Sequence, residues 1–331
     1  MANRQIVLEQ LPQGKLMPEH FRLVEGERPT PGDGEVLLRT RYISLDAANR
    51  AWMQGATYRA ALAAGDVMAG GAVAEVVESR SPNLAPGDMV FADTGWQEYA
   101  ALPGGRLQKL PDFKPVTHLI SVYGVAGLTA YFGLLECGKP QPGETVVVSA
   151  AAGSVGSLVG QIAKIKGCKV VGIAGGSEKC AWLTEELGFD AAVDYKAGDI
   201  RRAVRAACPD GIDVYFDNVG GDIFEACLFN MKNFGRIACC GAVSQYDGTA
   251  PPHGPRGVPG LIVTKRLTLR GFIVSDFDDK RDQALAELKS WVESGKLKVL
   301  EDVIEGLENA PVALVGLLAG ENRGKRMVKV S

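Results

Sequence analysis

The clearest pattern of apolar and polar positions lies in the middle of the chain. Residues 146–148 are consecutive valines that follow the turn residues Pro142 and Gly143, which predicts a short buried strand of a parallel sheet. Small residues follow at 150–153, and the period then changes to that of a helix. Apolar residues recur three and four positions apart, on one helix face, at Val155, Leu158, Val159, Ile162 and Ala163. The predicted order is strand, small-residue turn and helix.

The predicted turn contains Ala151-x-Gly153-x-x-Gly156, a variant of the G-x-G-x-x-G motif of dinucleotide-binding folds. Gly153 allows the backbone to approach a pyrophosphate, and Gly156 allows the helix to pack close to the strand. The helix N-terminus then offers free N–H groups and a partial positive charge to the phosphates. Because Ala151 replaces the first glycine, the motif alone also fits a helix that merely packs closely on a strand.

The next strand, predicted at 169–173, completes a strand–helix–strand unit of about 30 residues. An NAD-binding unit places Asp or Glu near the end of this strand, about 20 residues after the glycines. Here the strand is followed by Ala174-Gly175-Gly176-Ser177, and no acid occurs before Glu178. The missing acid favours NADP(H). Ser177 and Lys179 could bind the 2′-phosphate of this cofactor. Ser177 is also a typical N-cap, and Lys179 a typical solvated charge.

Strands and helices alternate through the rest of this region, which predicts a doubly wound parallel sheet. Further strands are predicted at 191–194, 213–217, 235–240 and 267–274. Ligands of such sheets bind at the carboxyl ends of the strands. This rule places Asn218 and the stretch 240–246 on the cofactor side. Tyr195 follows a strand in the same way, and it could stack near adenine or simply cover the end of the sheet.

Residues 1 to about 120 contain short strands separated by glycine and proline, which predicts a barrel-like or sandwich fold. Strands are predicted here at 5–8, 35–44, 71–77 and 88–92. The segment 45–59 carries Arg50, which could bind a cofactor phosphate or a substrate carboxylate, or form a salt bridge. Later in the chain, residues 248–260 are rich in Pro and Gly and are predicted to form a loop that could act as a lid.

Composition narrows the class of protein. A chain of 331 residues is long enough for two domains. With 23% charged residues and a net charge of −3, the chain lacks the basic character of a nucleic-acid-binding protein. It contains no apolar run of transmembrane length and no N-terminal signal pattern, so a soluble cytoplasmic protein is expected. Its seven cysteines and three histidines show no metal-ligand spacing, so no metal site is expected.

Taken together, these residues resemble the zinc-independent medium-chain dehydrogenase/reductases. Within that superfamily the chain is similar to the NADPH-dependent alkenal/enone reductases, the group that includes prostaglandin reductases and curcumin reductases. The matching strings occur in the same order along nearly the whole chain. They are Phe21-Arg-Leu-Val24, Ser44-Leu-Asp46, Gly127-Leu-Thr-Ala-Tyr-Phe-Gly133, Ala150-Ala-Ala-Gly-Ser-Val-Gly156, Tyr215-Phe-Asp-Asn-Val-Gly-Gly221, Lys265-Arg-Leu-Thr-Leu-Arg-Gly-Phe-Ile-Val274 and Asn322-Arg-Gly-Lys325.

The resemblance implies a domain organisation. Residues 1–121 and 297–331 would form a β-rich, barrel-like (GroES-like) catalytic domain, and residues 122–296 the Rossmann domain inserted into it. The resemblance also implies a homodimer that forms through the edge strand 267–274. The expected partners are therefore a second copy of the chain and a small-molecule substrate, with no nucleic acid and no membrane.

The resemblance also implies roles for individual residues. The pyrophosphate would contact Gly153, Ser154, Val155 and Gly156, and the 2′-phosphate end would contact Lys179 and Tyr195. The residues that would line the nicotinamide half are Asn218, Cys240, Gly241, Ser244, Tyr246, Phe272, Ile273, Val274 and Asn322. Tyr246 matches a tyrosine that is often placed near the substrate carbonyl, so it is the predicted catalytic residue.

One segment departs from the family. The family commonly shows Asp-Pro-Tyr-Met-Arg where this chain has Asp46-Ala-Ala-Asn-Arg50. The segment borders the substrate pocket in the family, so Asn49 and Arg50 are the predicted substrate contacts. The size and identity of the substrate stay open for the same reason.

The predicted function is NADPH-dependent reduction of the C=C bond of α,β-unsaturated ketones or aldehydes, without a metal. Hydride would reach the β-carbon, while Tyr246 and the nicotinamide ribose hydroxyl would stabilise the enolate oxygen. The alternatives are a quinone reductase with the same cofactor domain and a nucleotide-binding protein without turnover. A zinc alcohol dehydrogenase would need Cys and His ligands at spacings that this chain lacks.

Overall fold

The computed structural model describes residues 2–57, 59–247 and 254–331. Its strands are β1 (Ala2–Leu8), β2 (Phe21–Glu27), β3 (Glu35–Ser44), β4 (Ala72–Ser79), β5 (Met89–Ala92), β6 (Tyr99–Pro103), β7 (Thr145–Ser149), β8 (Lys169–Ala174), β9 (Ala191–Asp194), β10 (Ile212–Asp217), β11 (Met231–Cys239), β12 (Thr268–Gly271), β13 (Glu301–Glu305) and β14 (Lys325–Lys329). Its helices are α1 (Ala48–Ala51), α2 (Val125–Phe132), α3 (Ser154–Ile165), α4 (Ser177–Glu185), α5 (Ile200–Ala207), α6 (Gly221–Asn230), α7 (Val258–Lys265), α8 (Arg281–Glu293) and α9 (Ala310–Leu318).

The middle of the chain forms a six-stranded parallel sheet with the order β12-β11-β10-β7-β8-β9. The chain runs outwards from β7 to β9, returns to the other side of β7 at β10, and runs outwards again to β12. This is a doubly wound α/β sheet, so the predicted fold class is confirmed. The order reverses between β7 and β10, and ligands of such sheets bind at this point.

The central strands of this sheet are buried on both faces. Val146 and Val148 of β7 lie in one core cluster with Phe216, whereas Val147 lies in a second cluster with Tyr215. Successive side chains of a strand point to opposite faces, so each face has its own layer of apolar contacts. This explains why the sequence shows an unbroken apolar run at 146–148 rather than an alternation.

The second large sheet contains strands from both ends of the chain. Its order is β13-β14-β3-β4-β5, and β6 also pairs with β3. Strand β14 runs antiparallel to β3, with Met327 opposite Ser44. A separate antiparallel pair is formed by β1 and β2. The N-terminal and C-terminal segments therefore share one sheet, while the domain boundaries at 121 and 297 stay predictions.

Some segments differ from the predicted elements. The predicted strand 267–274 is shorter in the structure. Strand β12 ends at Gly271, and a 3-10 helix follows at Val274–Lys280. The predicted loop 248–260 is wrong at its end, where α7 begins with a proline in its first turn. Residues 248–253 of this predicted lid lie outside the described residues. Strands β2 and β6 were not predicted, because they bury few side chains and so carry a weak apolar pattern.

The close contact between α3 and the turn after β7 depends on Gly156. A methyl group on Gly156 would lie 2.3 Å from the carbonyl oxygen of Ala150, whereas one on Gly153 would lie 3.2 Å from that oxygen. We expect Gly156→Ala to lower the free energy of unfolding by about 2 to 3 kcal/mol, because the backbone must shift, and Gly153→Ala by less than about 1 kcal/mol. Urea unfolding of both variants measures the difference, and equal losses would contradict this explanation.

Candidate active site

The predicted dinucleotide motif lies at the carboxyl end of β7. Gly153 is the N-cap of α3, and its amide donates a 2.9 Å hydrogen bond to the carbonyl oxygen of Ala150. The first turn of α3 adds N–H groups without helical partners and the positive end of the helix dipole. The hydroxyl of Ser154 is buried and has no hydrogen-bond partner within the described ranges. An unpaired polar atom at a helix N-terminus fits a bound phosphate.

The C-terminal part of the chain contacts this turn directly. The amide of Gly324 donates a 2.8 Å hydrogen bond to the carbonyl oxygen of Ala152, and Gly153 and Gly324 form an isolated bridge. The side chain of Asn322 is buried and donates to the carbonyl oxygen of Gly324 at 2.8 Å. The structure therefore brings Asn322 to the phosphate turn, at the junction of the two large sheets.

Small residues after β8 leave room beside Tyr195. A methyl group on Gly175 would lie 2.9 Å from Cε1 of the Tyr195 ring and 3.0 Å from its hydroxyl oxygen. Tyr195 is 40% exposed. Gly176 is the N-cap of α4, so Ser177 is an exposed first helical residue and not the cap. These features fit an adenosine group held between the tyrosine and the start of α4.

Positive charges gather at the same place. Burial lowers the pKa of the Lys179 ammonium, and the nearby charges of Arg323 and Lys196 lower it further. The ammonium of Lys196 also lies 5.9 Å from the centroid of the Tyr195 ring. A 2′-phosphate would offset the repulsion between these cations. Sequence reasoning missed Arg323 and Lys196, because only the tertiary structure brings the C-terminal arginine to α4.

The first acid after β8 does not take the place of a ribose-binding carboxylate. The side chain of Glu178 is 89% exposed, and its carboxylate lies 3.3 Å from the Arg323 guanidinium. The acid at the end of β9, Asp194, accepts a 2.8 Å hydrogen bond from the amide of Gly176. Both carboxylates are thus engaged with the protein, in agreement with a site for the phosphorylated cofactor.

A buried carboxylate organises the other half of the cleft. Asp217 ends β10 and is 3% exposed. Its Oδ1 atom accepts hydrogen bonds from the hydroxyls of Tyr215 at 2.6 Å and Ser149 at 3.2 Å, and from two amides of the following turn. The Asn218 side chain donates to the carbonyl oxygen of Ser149 at 2.7 Å. This network holds Asn218 in one position. Sequence reasoning missed Ser149 and Asp217. Each is a polar residue at the end of an apolar strand, and this pattern was an available signal.

The predicted cofactor loop 240–246 is fixed to the same turn. The amides of Cys240 and Gly241 donate to the carbonyl oxygen of Asp217 at 2.8 and 3.2 Å. The hydroxyl of Ser244 donates to the carbonyl oxygen of Val219 at 2.6 Å. Burial raises the pKa of the Cys240 thiol to about 12. This thiol is therefore protonated at neutral pH and is not a nucleophile.

Tyr246 lies at the end of this loop. Its hydroxyl oxygen accepts a 3.3 Å hydrogen bond from the amide of Ala242, and it would lie 3.5 Å from a methyl group on Gly241. The bond from Ala242 uses a lone pair of the oxygen, so the phenolic proton stays available for donation. The arrangement suits a hydrogen bond from Tyr246 to a substrate oxygen.

Arg50 connects the N-terminal sheet to the loop that carries Tyr246. Its guanidinium is 2% exposed, with Nε 3.3 Å from Oδ1 of Asp247 and Nη2 2.8 Å from the carbonyl oxygen of Gly14. Gln54 donates to the carbonyl oxygen of Tyr246 at 3.0 Å. The structure thus shows the salt bridge that the sequence left open for Arg50. Its Nη1 atom is buried without a partner among the described residues, and substrate contact by Arg50 stays a prediction.

Asn49, the other predicted substrate contact, is fully buried. Its side-chain oxygen accepts a 2.7 Å hydrogen bond from the amide of Asp46, and its side-chain nitrogen donates to the carbonyl oxygen of Ala69 at 3.2 Å. These bonds favour a role in holding the segment 46–50 in shape. Direct contact between Asn49 and a substrate stays a prediction.

The predicted cofactor residues 272–274 follow β12 at the edge of the parallel sheet. The centroids of the Phe272 and Phe216 rings lie 6.3 Å apart. The Phe272 ring also fills the space beside Gly133, since a methyl group on Gly133 would lie 2.3 Å from its Cζ atom. Ile273 is 49% exposed. The structure turns Phe272 into the core and leaves Ile273 at the surface, and cofactor contact by residues 272–274 stays a prediction.

Two negative findings apply to the part of the chain that the structure describes. In residues 2–57, 59–247 and 254–331, no group of three or more His, Cys, Asp or Glu side chains is placed to hold a metal ion. Over the same ranges, no helix has both the length and the apolar character needed to span a lipid bilayer.

The fold and the site together define a class of protein, the dinucleotide-dependent oxidoreductases in which a β-rich domain packs on a doubly wound sheet. Two family models match the chain. One is described as the N-terminal domain of oxidoreductase and matches residues 4–110, and the other as zinc-binding dehydrogenase and matches residues 154–290.

Similarity to particular proteins extends over the whole chain. The chain is 45% identical to the NADPH-dependent curcumin reductase of Escherichia coli (strain K12), with 99% of this chain and 97% of that protein covered. It is 40% identical to the 2-alkenal reductase (NADP(+)-dependent) of Nicotiana tabacum, with 100% and 98% covered. The crystal structure of CurA from Vibrio vulnificus in complex with NADPH matches with a TM-score of 0.94 and 41% identity, covering 99% of each chain. The chain belongs to this family of NADP-dependent oxidoreductases in the medium-chain dehydrogenase/reductase superfamily, which confirms the resemblance and the predicted cofactor.

The ion pair between Arg50 and Asp247 should matter more than a surface ion pair. We expect Arg50→Met to lower the free energy of unfolding by about 3 kcal/mol, because it leaves the Asp247 carboxylate, 15% exposed, with the amide of Leu16 but without its cationic partner. The matched variant Arg22→Met removes an exposed ion pair with Glu9 and should cost less than about 1 kcal/mol. Chemical denaturation compares the two. A loss at Arg50 no larger than that at Arg22 would show that the pair does not hold the loop.

Proposed function

We propose that the protein reduces the C=C bond of α,β-unsaturated ketones or aldehydes with NADPH. The observation that carries this proposal is the position of Tyr246, whose hydroxyl keeps its proton available beside the loop and turn at the carboxyl end of the parallel sheet. The similarity to a curcumin reductase and a 2-alkenal reductase supports the same class of reaction.

The described residues fit NADPH at its pyrophosphate and at its 2′-phosphoadenosine end. The unpaired hydroxyl of Ser154 and the first amides of α3 suit the pyrophosphate. Lys179, Lys196 and Tyr195 suit the 2′-phosphate and the adenine. Bound NADPH supplies a hydride from C4 of its nicotinamide. The turn at Asn218 and the loop 240–246 would hold the nicotinamide half, because both are fixed by the network around Asp217.

The residues of the chain would act on the charge that develops in the substrate. As the β-carbon gains the hydride, negative charge develops on the carbonyl oxygen, and one oriented donor can stabilise it by about 3 kcal/mol. Tyr246 is our candidate for that donor, because the amide of Ala242 already binds its oxygen and so restricts the direction of its proton. The proton at the α-carbon would come from Tyr246 or from water.

Residues 1–121 and 297–331 are proposed as the catalytic domain, and 122–296 as the cofactor domain. Limited proteolysis that releases fragments with different boundaries would contradict this division.

We also propose a homodimer, since β12 lies at the edge of the parallel sheet and pairs only with β11 among the described strands. A single-chain mass in sedimentation equilibrium would exclude it. We also propose that the protein is located in the cytoplasm, and recovery of the protein mainly in the membrane fraction on cell fractionation would contradict this.

The reaction class can be tested directly by following NADPH absorbance with a panel of 2-alkenals, enones and quinones, with NADH in parallel. We expect rapid NADPH oxidation with enones or enals and much slower oxidation of NADH, because the cations near Lys179 lack a phosphate partner in NADH. Preference for quinones would favour a quinone reductase. Binding of NADPH without turnover on any member of the panel would contradict the proposed reaction.

Replacement of the Tyr246 hydroxyl should affect the chemical step and not the cofactor. We expect Tyr246→Phe to lower kcat by at least about tenfold with little change in the Kd of NADPH, because the lost donor acts on the substrate oxygen. Tyr99→Phe, on β6 beneath Arg28, is the matched control and should leave both values unchanged. An unaltered kcat in Tyr246→Phe would remove this residue from the mechanism.

A further inference from the structure

Lys179 contacts a part of the chain that is far from it in sequence. It is the third residue of α4, and its side chain is half-buried. Its ammonium donates to the carbonyl oxygen of Asn322 at 2.6 Å and also to that of Gly320. The side chain is thus not a freely solvated charge, and it holds two carbonyl groups of the C-terminal segment against the start of α4.

The segment 320–324 has a second attachment, to the phosphate turn. The amide of Gly324 donates to the carbonyl oxygen of Ala152 at 2.8 Å. The side chain of Asn322 donates to the carbonyl oxygen of Gly324 at 2.8 Å and so braces the segment internally. Segment 320–324 therefore lies across the cleft, with Lys179 at the adenosine end and the pyrophosphate turn at its other end.

The donors of Lys179 allow both a tether and a ligand. An ammonium has three N–H donors, and among the described contacts two of them bond carbonyl oxygens of the segment. The remaining donor is available to a phosphate oxygen. Burial and the charges of Arg323 and Lys196 lower the pKa of this ammonium, so the charge would gain from an anionic partner that the neutral carbonyls do not provide.

We propose that Lys179 is a positioning residue that links the 2′-phosphate of NADP(H) to segment 320–324, and through this segment to the pyrophosphate turn. The inference rests on the proposed function, which assigns the 2′-phosphate to Lys179. A 2′-phosphate bound to Lys179 then orders segment 320–324 and also increases the affinity for the cofactor. Selection of the phosphorylated cofactor and placement of segment 320–324 at the pyrophosphate turn then depend on one side chain.

Replacement of Lys179 separates the two roles when both cofactors are used. NADH has no 2′-phosphate, so an effect of Lys179→Met on the NADH reaction reports only the lost contacts to the segment. We expect kcat/KM for NADPH to fall by about tenfold to a hundredfold and kcat/KM for NADH to fall by about threefold to tenfold, because the segment is no longer held in place. Lys164→Met, which removes a partly exposed ion pair with Asp190, is the matched control and should change neither value.

A second readout needs no turnover. In the nucleotide-free protein, Lys179→Met should speed hydrogen exchange of the amides at 320–324 by at least about threefold, while Lys164→Met should not. If exchange and the NADH reaction are both unchanged while the NADPH reaction is weakened, Lys179 binds phosphate only and the link is wrong. If the ratio of NADPH to NADH activity is unchanged, the assignment of the 2′-phosphate to Lys179 is wrong, and the link is wrong with it.

Discussion

The close approach of α3 to the turn after β7 is the constraint on which the rest of the site depends. It exists because position 156 has no side chain, since any methyl there would meet the carbonyl oxygen of Ala150 at 2.3 Å. The approach sets the N-terminus of α3 at the carboxyl end of the sheet, where its amides and dipole favour an anion. It also leaves the carbonyl oxygen of Ala152 free to accept from Gly324, so the C-terminal segment docks at the same point.

Two buried cations, Lys325 and Arg50, form ion pairs with different roles. Lys325 is almost fully buried and pairs with Asp46 at 2.6 Å. Burial by itself raises the pKa of Asp46, but the Lys325 ammonium and the hydroxyl of Ser44 outweigh it and hold the pKa below its usual value. Lys325 on β14 and Asp46 after β3 belong to the same sheet, whereas Arg50 and Asp247 connect α1 to the loop that carries Tyr246. Since removing one partner of a buried pair leaves an uncompensated charge, the first pair stabilises the join between β14 and β3, and the second stabilises the contact between α1 and this loop.

The two halves of the cofactor cleft differ in their electrostatics. The start of α4 gathers the cations Lys179, Lys196 and Arg323, whereas the turn after β10 is organised by the buried carboxylate of Asp217 and its neutral donors. This division suits a cofactor with a charged phosphate at one end and a neutral ring at the other. In the proposed function, the reaction depends on oriented hydrogen bonds, with the hydroxyl of Tyr246 as the proposed donor to the substrate oxygen.

The sequence by itself determined the local features of this protein. The valines at 146–148, the motif that ends at Gly156 and the missing acid after β8 each predict structure or cofactor from neighbouring residues alone, because strand and helix periods are set within a few positions. The tertiary structure alone decided which distant residues meet. Arg323 reaches α4, Asp247 reaches Arg50, and Asn49 turns inward to bond the backbone of Ala69. Such partners leave no periodic trace in the sequence, since their contacts depend on how segments distant along the chain pack together.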